Sequence, residues 1–532
     1  MIRLVDREGL VGLRVLLPAF LRRDALMIGC WTVGIALLYW SQAVGVKGLY
    51  TSQADFDRAA ATMENNAALI AMAGPARALN TVGGQVTWQA AAFGAIAAGL
   101  MSMFLIGRHT RAEEETGRDE LLRSAVVGRQ APQTAALLVA LIANLAVGLG
   151  VGLSLWLYGL PGTGSLASGL QVGLSGALFA GVALVAAQLT QNTRGMYGWV
   201  GLTIGVAYGL RAVGDVSNPA LSWLSPIGWG QAMWAFSGDR FWPAWLFVAA
   251  LVIVVAAAFA IFEHRDIGSG VVAARPGPAE AGRTLQGAFG LAWREQRGTF
   301  YGWSLGVFVS GLAYGSIGND AAAMLGDSQL SEAMLAAGMA DPVDGFLATS
   351  AWMLALIGAG FAISSALRPR VEESAGRVEA LLATALPRGR WFAAHGAVTV
   401  LGTVAIGVAG ALGLGIGFGL VTSEWNRWGD FLVNALSMSL ASLVWVGLAR
   451  LLYGISARWA PWAWAGLAFS VVVMLFGEVL SFPGWLMDLS PYRHPAQLPI
   501  DAFAWPPVVA LGAVVAGLWV AGQAAFARRD VH

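Results

Sequence analysis

Twelve apolar runs, each close to the roughly 20 residues that carry an α-helix across a bilayer, leave this 532-residue chain little choice of fold. They lie near 25–45, 87–107, 133–159, 170–190, 196–212, 242–263, 299–318, 347–367, 394–421, 431–450, 460–480 and 505–527. In hydrocarbon every backbone N–H and C=O must be satisfied within its own segment, so runs of this length become helices. The pattern predicts an all-α integral membrane protein with twelve transmembrane helices. Composition agrees, since 57% of residues are hydrophobic and 12% charged, where a soluble domain carries about 25% charge.

The runs fall into two matching sets of six. Between the second and third, Arg111 to Glu120 reads RAEEETGRDE; between the eighth and ninth, Arg370 to Glu379 reads RVEESAGRVE, identical at six of ten positions. Trp31-x-x-Gly34 is echoed by Trp303-x-x-Gly306, Gly214-Asp215 with Leu224-Ser225-Pro226 by Gly477-Glu478 with Leu489-Ser490-Pro491, and Trp242-Pro243 by Trp505-Pro506. The order is kept and each set is even, so the halves are parallel repeats with one orientation. Residues 1–262 form the first half, 263–298 a Gly/Pro/Ala-rich tether and a second leader, and 299–532 the second half.

Each half opens on an amphipathic stretch. Leu10, Leu13, Leu17 and Leu21 recur at helical spacing within Met1 to Asp24, and Leu285 to Arg297 follows the tether. Both predict leader helices lying on the membrane surface. With both termini cytoplasmic, the inside segments hold 25 of the 32 Lys and Arg, as the positive-inside rule asks. The two charged patches are then cytoplasmic.

Outside, insertions at 46–86 and 319–346 predict short helices over the exit. The first aligns Phe56, Ala60, Met63, Ala67 and Ile70 on one face, the second Leu330 and Met334. Packing on their own bundle and handling of substrate both fit. Trp223, Trp229, Trp234 and Trp485 follow the fifth and eleventh spans, as interface aromatics do.

Several function classes are disfavoured. A formal charge of +1 offers no basic field for nucleic acid. The single cysteine, Cys30, permits no disulfide, and the five histidines are scattered. Apart from Asn144 and Asn434 the span centres are apolar, while ion-coupled carriers generally need buried carboxylates. A phosphate-cradling GxxxxGK[ST] loop needs a lysine, and the only one, Lys47, is predicted to be external. A pump built on this chain therefore draws energy from another chain. An ion-coupled secondary carrier for hydrophobic compounds or lipids remains the alternative.

In each patch Glu and Arg lie four apart, Glu114 with Arg118 and Glu373 with Arg377, a spacing that supports an isolated helix by a few tenths of a kcal/mol. Gly117 and Gly376 between them cost about 1 kcal/mol of helix propensity. Their recurrence predicts that another group approaches closely.

Six spans per half, a leader, an E-E-x-x-G-R helix between spans two and three and LSP after span five resemble the permease subunits of type II ABC exporters. The fused form resembles the actinobacterial polyketide-antibiotic or tetronasin-type exporter permeases. The resemblance implies that Glu113, Glu114, Gly117, Arg118 and Glu120, with Glu372, Glu373, Gly376, Arg377 and Glu379, form cytoplasmic coupling helices seated in two copies of a separate ATPase. That partner would bind ATP and Mg, and this chain no cofactor. It further implies efflux of hydrophobic or amphipathic compounds across a bacterial inner membrane. Trp31 and Trp303 are candidate pathway residues, with packing the competing role, and Asp215 and Glu478 a candidate outer gate.

This topology fixes which positions a membrane-impermeant thiol reagent reaches. Without Cys30, single cysteines at Ser124, Gly277 and Thr384 should be shielded in intact cells, and those at Gln53 and Ser328 should react. Labelling of position 277 from outside would exclude the arrangement.

Overall fold

The computed structural model describes residues 8–50, 52–64, 67–266, 270, 271, 280–282, 285, 287–326, 342–476 and 482–530. These residues are helical or irregular, with no strand among them. The chain divides into two compact units, Met1–Gly277 and Pro278–His532.

The first unit contains α1 (Leu13–Leu49), α2 (Gln53–Met63), α3 (Ala67–Ala73), α4 (Val82–His109), α5 (Arg111–Glu115), α6 (Arg118–Arg123), α7 (Ala131–Leu157), α8 (Gly162–Leu189), α9 (Thr193–Val216), α10 (Pro219–Ser222), α11 (Pro226–Gln231) and α12 (Pro243–Glu263). The second contains α13 (Ala288–Gly326), α14 (Pro342–Ala366), α15 (Arg368–Ser374), α16 (Arg377–Leu382), α17 (Arg388–Thr422), α18 (Trp428–Ile455), α19 (Ala463–Phe476), α20 (Gly484–Met487) and α21 (Trp505–Arg528). Among the described residues, nine spans are long and apolar enough to cross a membrane, built on α1, α4, α7, α8, α12, α14, α17, α18 and α21. The protein is a multi-pass membrane protein. The other three expected spans coincide with α9, α13 and α19. Arg194, Arg211 and Asp215 dilute the apolar character of α9, and α13 opens on Arg294, Glu295 and Arg297.

The leaders depart from expectation. Among the described residues no separate surface helix forms, because α1 runs unbroken for 37 residues, about 55 Å at 1.5 Å per residue, and α13 for 39. The leucine face predicted to meet lipid packs inward instead. Leu16 and Phe20 are buried, with Leu13, Leu17 and Leu21 against the same core.

The first unit's core is rich in alanine, with α4 and α8 the most enclosed of its spans. Lipid tails are as apolar as Leu, so close packing of small side chains takes the place of a hydrophobic drive between helices. Asn144 of α7 is buried here, its Nδ2 donating to Ser102 Oγ at 2.7 Å and to the Ala140 carbonyl at 2.8 Å. Asn434 likewise donates to the Leu498 carbonyl at 3.0 Å. Both polar exceptions are thus structural glue.

The stretch expected outside also packs on its own bundle. Phe56, Ala60 and Met63 of α2 are buried. Tyr208 Oη and Arg211 Nη2 of α9 donate to the Met72 carbonyl at 2.8 and 3.0 Å. Leu330 and Met334 lie outside the described residues.

In the second unit α13 and α17 cross through paired G-x-x-x-G segments, Gly311 with Gly315 and Gly413 with Gly417. A Cβ at Gly315 or Gly417 would overlap the carbonyl oxygen of Leu414 or Leu312 on the facing helix. Gly306, on the same α13, has open space around it. Gly315→Ala and Gly417→Ala should each cost about 1–3 kcal/mol through overpacking. Both should lower the unfolding temperature of the detergent-purified protein, and Gly306→Ala should leave it near the unmodified value.

Candidate functional site

The charged stretch folds the same way twice. α5 ends at Glu115, Thr116 closes the turn, Gly117 takes φ 70° and α6 begins at Arg118. In the second unit α15 ends at Ser374, Ala375 follows, Gly376 takes φ 68° and α16 begins at Arg377. Each patch is therefore two short helices joined at a left-handed glycine, rather than the single helix expected. Left-handed backbone costs an L-residue about 1–2 kcal/mol. No atom lies within 4 Å of where a Cβ would stand on either glycine. Conformation, and not the close approach predicted from sequence, calls for glycine here.

The break also rotates the expected i,i+4 pairs apart. Arg377 instead reaches back across the turn to Glu372, with Nε at 2.5 Å and Nη2 at 3.0 Å. Arg118 stands 4.0 Å from Glu113 in the same sense. The Glu372 hydrogen bond pushes the Arg377 guanidinium above its ordinary pKa.

Both glutamates of each pair turn inward. Glu113 and Glu372 are buried; Glu113 pairs with Arg23 of α1, and Glu372 with Arg368 at 2.6 Å. The leaders are tied to this end. Asp24 is fully buried between His109, which stacks on Phe20, and Arg108 at 3.0 Å. In the second unit the leader again supplies the carboxylate, with Glu295 of α13 at 3.7 Å from Arg368.

Glu114 and Glu373 meet an arginine from the far end of their own unit. Glu114 pairs with Arg265 just past α12 at 2.6 Å and with Arg111 at 2.7 Å. Glu373 pairs with Arg529 just past α21. Each arginine also donates through Nη1 to a carbonyl near the end of a span, Arg265 to Ala187 of α8 at 3.0 Å and Arg529 to Tyr453 of α18 at 2.5 Å. Arg129, ahead of α7, donates to the Arg265 carbonyl at 2.8 Å, and Arg388, opening α17, to the Arg529 carbonyl at 3.3 Å. These arginines were missed from sequence, although the signal exists. Phe262-x-x-Arg265-Asp266 recurs as Phe526-x-x-Arg529-Asp530.

Arg118, Glu120, Arg377 and Glu379 face outward and are exposed, with Leu121 beside them 73% exposed. The copies differ beneath this surface. Glu115 accepts hydrogen bonds from Thr193 N–H at 2.7 Å and Oγ1 at 2.9 Å, capping the positive end of α9. Ser374 replaces it in the second unit. Val378, which replaces Asp119, is buried in a cluster with Trp391, Phe392, Tyr453 and Phe526.

The remaining predicted residues separate. Trp31 is 6.5 Å from Phe104 of α4, which is 5.4 Å from Tyr197 of α9, an aromatic row across three helices. Trp303 packs instead on Gly360 of α14. Asp215 sits at the opposite end of α9 from Thr193, 3.5 Å from Arg211 and accepting Ser222 Oγ at 2.6 Å. Glu478 lies outside the described residues.

Removing the arginine of a nearly dry pair strands its carboxylate, at a cost of about 3–5 kcal/mol. Arg529→Gln should lower the unfolding temperature substantially, and Arg529→Gln with Glu373→Gln should recover part of that loss. Equal stability of single and double variants would remove the coupling.

A family model for the C-terminal domain of the multidrug efflux system permease Rv1217c matches residues 285–527. Over 536 aligned residues the chain is 33% identical to the multidrug efflux system permease protein Rv1217c of Mycobacterium tuberculosis, covering 99% of this chain and 96% of that protein. With the duplicated patch and the long apolar helices, this places the chain in the family of multidrug efflux system permeases.

Proposed function

We propose that the chain is the membrane-spanning subunit of an ATP-driven ABC exporter, twelve spans arranged as two parallel six-span repeats in a bacterial inner membrane with both termini cytoplasmic. Two copies of a cytoplasmic ATPase, which bind ATP and Mg, dock on the outward faces of α6 and α16. The exported compounds are hydrophobic or amphipathic. The aromatic row of Trp31, Phe104 and Tyr197 is the candidate path in the first half, with Trp303 its sequence counterpart in the second.

The observation that carries this reading is the paired design of the patches. A short helix with exposed charge and an exposed Leu121 is joined by a left-handed glycine to a glutamate fixed on the last span of its own half. A push on α6 or α16 would pass through Glu114 or Glu373 to Arg265 or Arg529, and so to the ends of α8 or α18. Glu114 and Glu373 are positioning residues in this scheme. The exposed Arg118, Glu120, Arg377 and Glu379 meet the partner, with Gly117 and Gly376 as the hinges. The two contacts are unequal, because Glu115 and Asp119 give way to Ser374 and Val378.

Reversing exposed charges tests this without disturbing the interior. Arg118→Glu with Arg377→Glu should leave membrane insertion unchanged and stability within about 0.5 kcal/mol. Loss of an interfacial charge pair, about 2–5 kcal/mol, should reduce co-purification of the ATPase more than tenfold and abolish export. Export by the unmodified protein should survive a protonophore while ATP is maintained. Unchanged co-purification and export in the double variant would reject the docking surface, and loss of export on collapse of the proton gradient alone would favour an ion-coupled carrier.

A further inference from the structure

At the end of the first unit opposite the charged patch, an open cavity is walled by Arg77, Asp215, Trp223, Trp234, Arg240 and Trp242. Two cations meet on one indole there. The Arg77 guanidinium carbon lies 3.8 Å from the Trp234 ring centroid and that of Arg240 lies 3.1 Å from it. Asp215 is already matched by Arg211 and Ser222, and Asp239 accepts the Phe236 N–H at 2.8 Å. Among the described residues no carboxylate comes within ion-pair distance of Arg77 or Arg240, and Asp215 acts on Arg77 only from farther off.

Such an arrangement is not what loop packing alone would select, because like charges held close raise the free energy of the empty cavity. Partial burial, and then the neighbouring Arg240, lower the Arg77 pKa, and Asp215 on the same cavity wall offsets part of this. The backbone is committed to the arrangement as well. Trp234, Phe236 and Asp239 all hold positive φ, at 52°, 60° and 43°, and backbone strain of this kind gathers at ligand sites. The Arg77 loop is pinned from both sides by Gln231 Nε2 donating to the Ala73 carbonyl at 2.6 Å and by Trp88 Nε1 donating to the Gly74 carbonyl at 2.8 Å. Trp223 and Trp242, stacked with centroids 5.4 Å apart, remain 43% and 51% exposed and offer an apolar wall.

The duplication does not repeat this feature. Two residues before the shared Trp-Pro, Arg240 is replaced by Phe503, whose ring packs edge-on against Trp505 at 5.0 Å.

We propose that this cavity is a binding site for an organic anion, a carboxylate or phosphate carried on an apolar body, with Arg77 and Arg240 taking the anionic group and Trp223 and Trp242 the apolar part. Arginine suits the role because its planar fork pairs with carboxylate or phosphate through two parallel hydrogen bonds while its face stays stacked. The anion has two possible sources, a free amphipathic molecule or the headgroup of an anionic lipid. The site does not depend on how the protein is energised.

Octyl phosphate is the probe, titrated into the full-length protein in phosphatidylcholine nanodiscs, with octanol as the uncharged control. Binding should be saturable and weaken with rising salt. It should fall at least tenfold in Arg77→Gln with Arg240→Gln while octanol partitioning is unchanged. If the double variant does not fold, Arg240→Gln alone and the charge-preserving Arg77→Lys with Arg240→Lys carry the comparison, the first losing affinity and the second keeping the salt dependence while binding more weakly than the unmodified protein, because lysine retains the charge and not the fork. Replacing part of the lipid with phosphatidylglycerol should depress octyl phosphate binding to the unmodified protein if headgroups occupy the cavity, and leave it unchanged if the ligand is free in solution; both outcomes support the site. Equal octyl phosphate affinity in the unmodified protein and in the arginine-to-glutamine variants, or absence of saturable binding in either lipid, overturns it.

Discussion

The pairing of Glu114 with Arg265, repeated as Glu373 with Arg529, is the contact on which the rest of each unit depends. A carboxylate and a guanidinium taken out of water repay their desolvation only when the geometry is good and further hydrogen bonds use the remaining donors. Each arginine adds one such bond by donating to the end of a span, at Ala187 or Tyr453. One residue thus joins the charged patch, the fourth span of the half and the segment after its last span. With Asp24 or Glu295 the leader joins the same assembly. Helices that lipid alone would leave free to slide are tied together at one end by charge.

Elsewhere the helices are held by shape. The α13 and α17 crossing puts glycine against backbone oxygen at Gly315 and Gly417, and the first unit fills its centre with alanine and two mutually hydrogen-bonded polar side chains, Ser102 and Asn144. Small residues let backbones approach closely where no hydrophobic drive separates helix from lipid. Ion pairs at one end and close packing along the length hold the helices of each unit together.

The two copies have diverged in ways that bear on use. Glu115 caps α9 in the first unit and has no acidic counterpart in the second. Val378 rests in an aromatic cluster where the first unit has Asp119. Arg240 faces an open cavity where the second unit has Phe503. A duplicated chain can keep its common lock while each copy takes a separate task, because the lock uses only a few residues per half.

Much of this was legible in the sequence. Apolar length alone dictates membrane helices, since hydrocarbon offers the backbone no other partner, and the recurrence of R-x-E-E-x-x-G-R-x-E marked the patch in both halves. The leucines of the first leader were rightly read as one helical face, but not what they face. An amphipathic stripe records that a surface is covered and not by what, so lipid and the protein's own core leave the same pattern. Gly117 and Gly376 were visible as a shared oddity, while their left-handed φ belongs to the folded backbone. Spacing along a helix suggested Glu114 with Arg118 and Glu373 with Arg377; the turn at each glycine sends the glutamates to Arg265 and Arg529, about 150 residues away. A pairing across that separation leaves no periodicity in the chain. Sequence therefore determined the class of fold, the duplication and the charged elements. Tertiary structure decided which charges are spent inside and which stay exposed, because that choice depends on where distant segments meet.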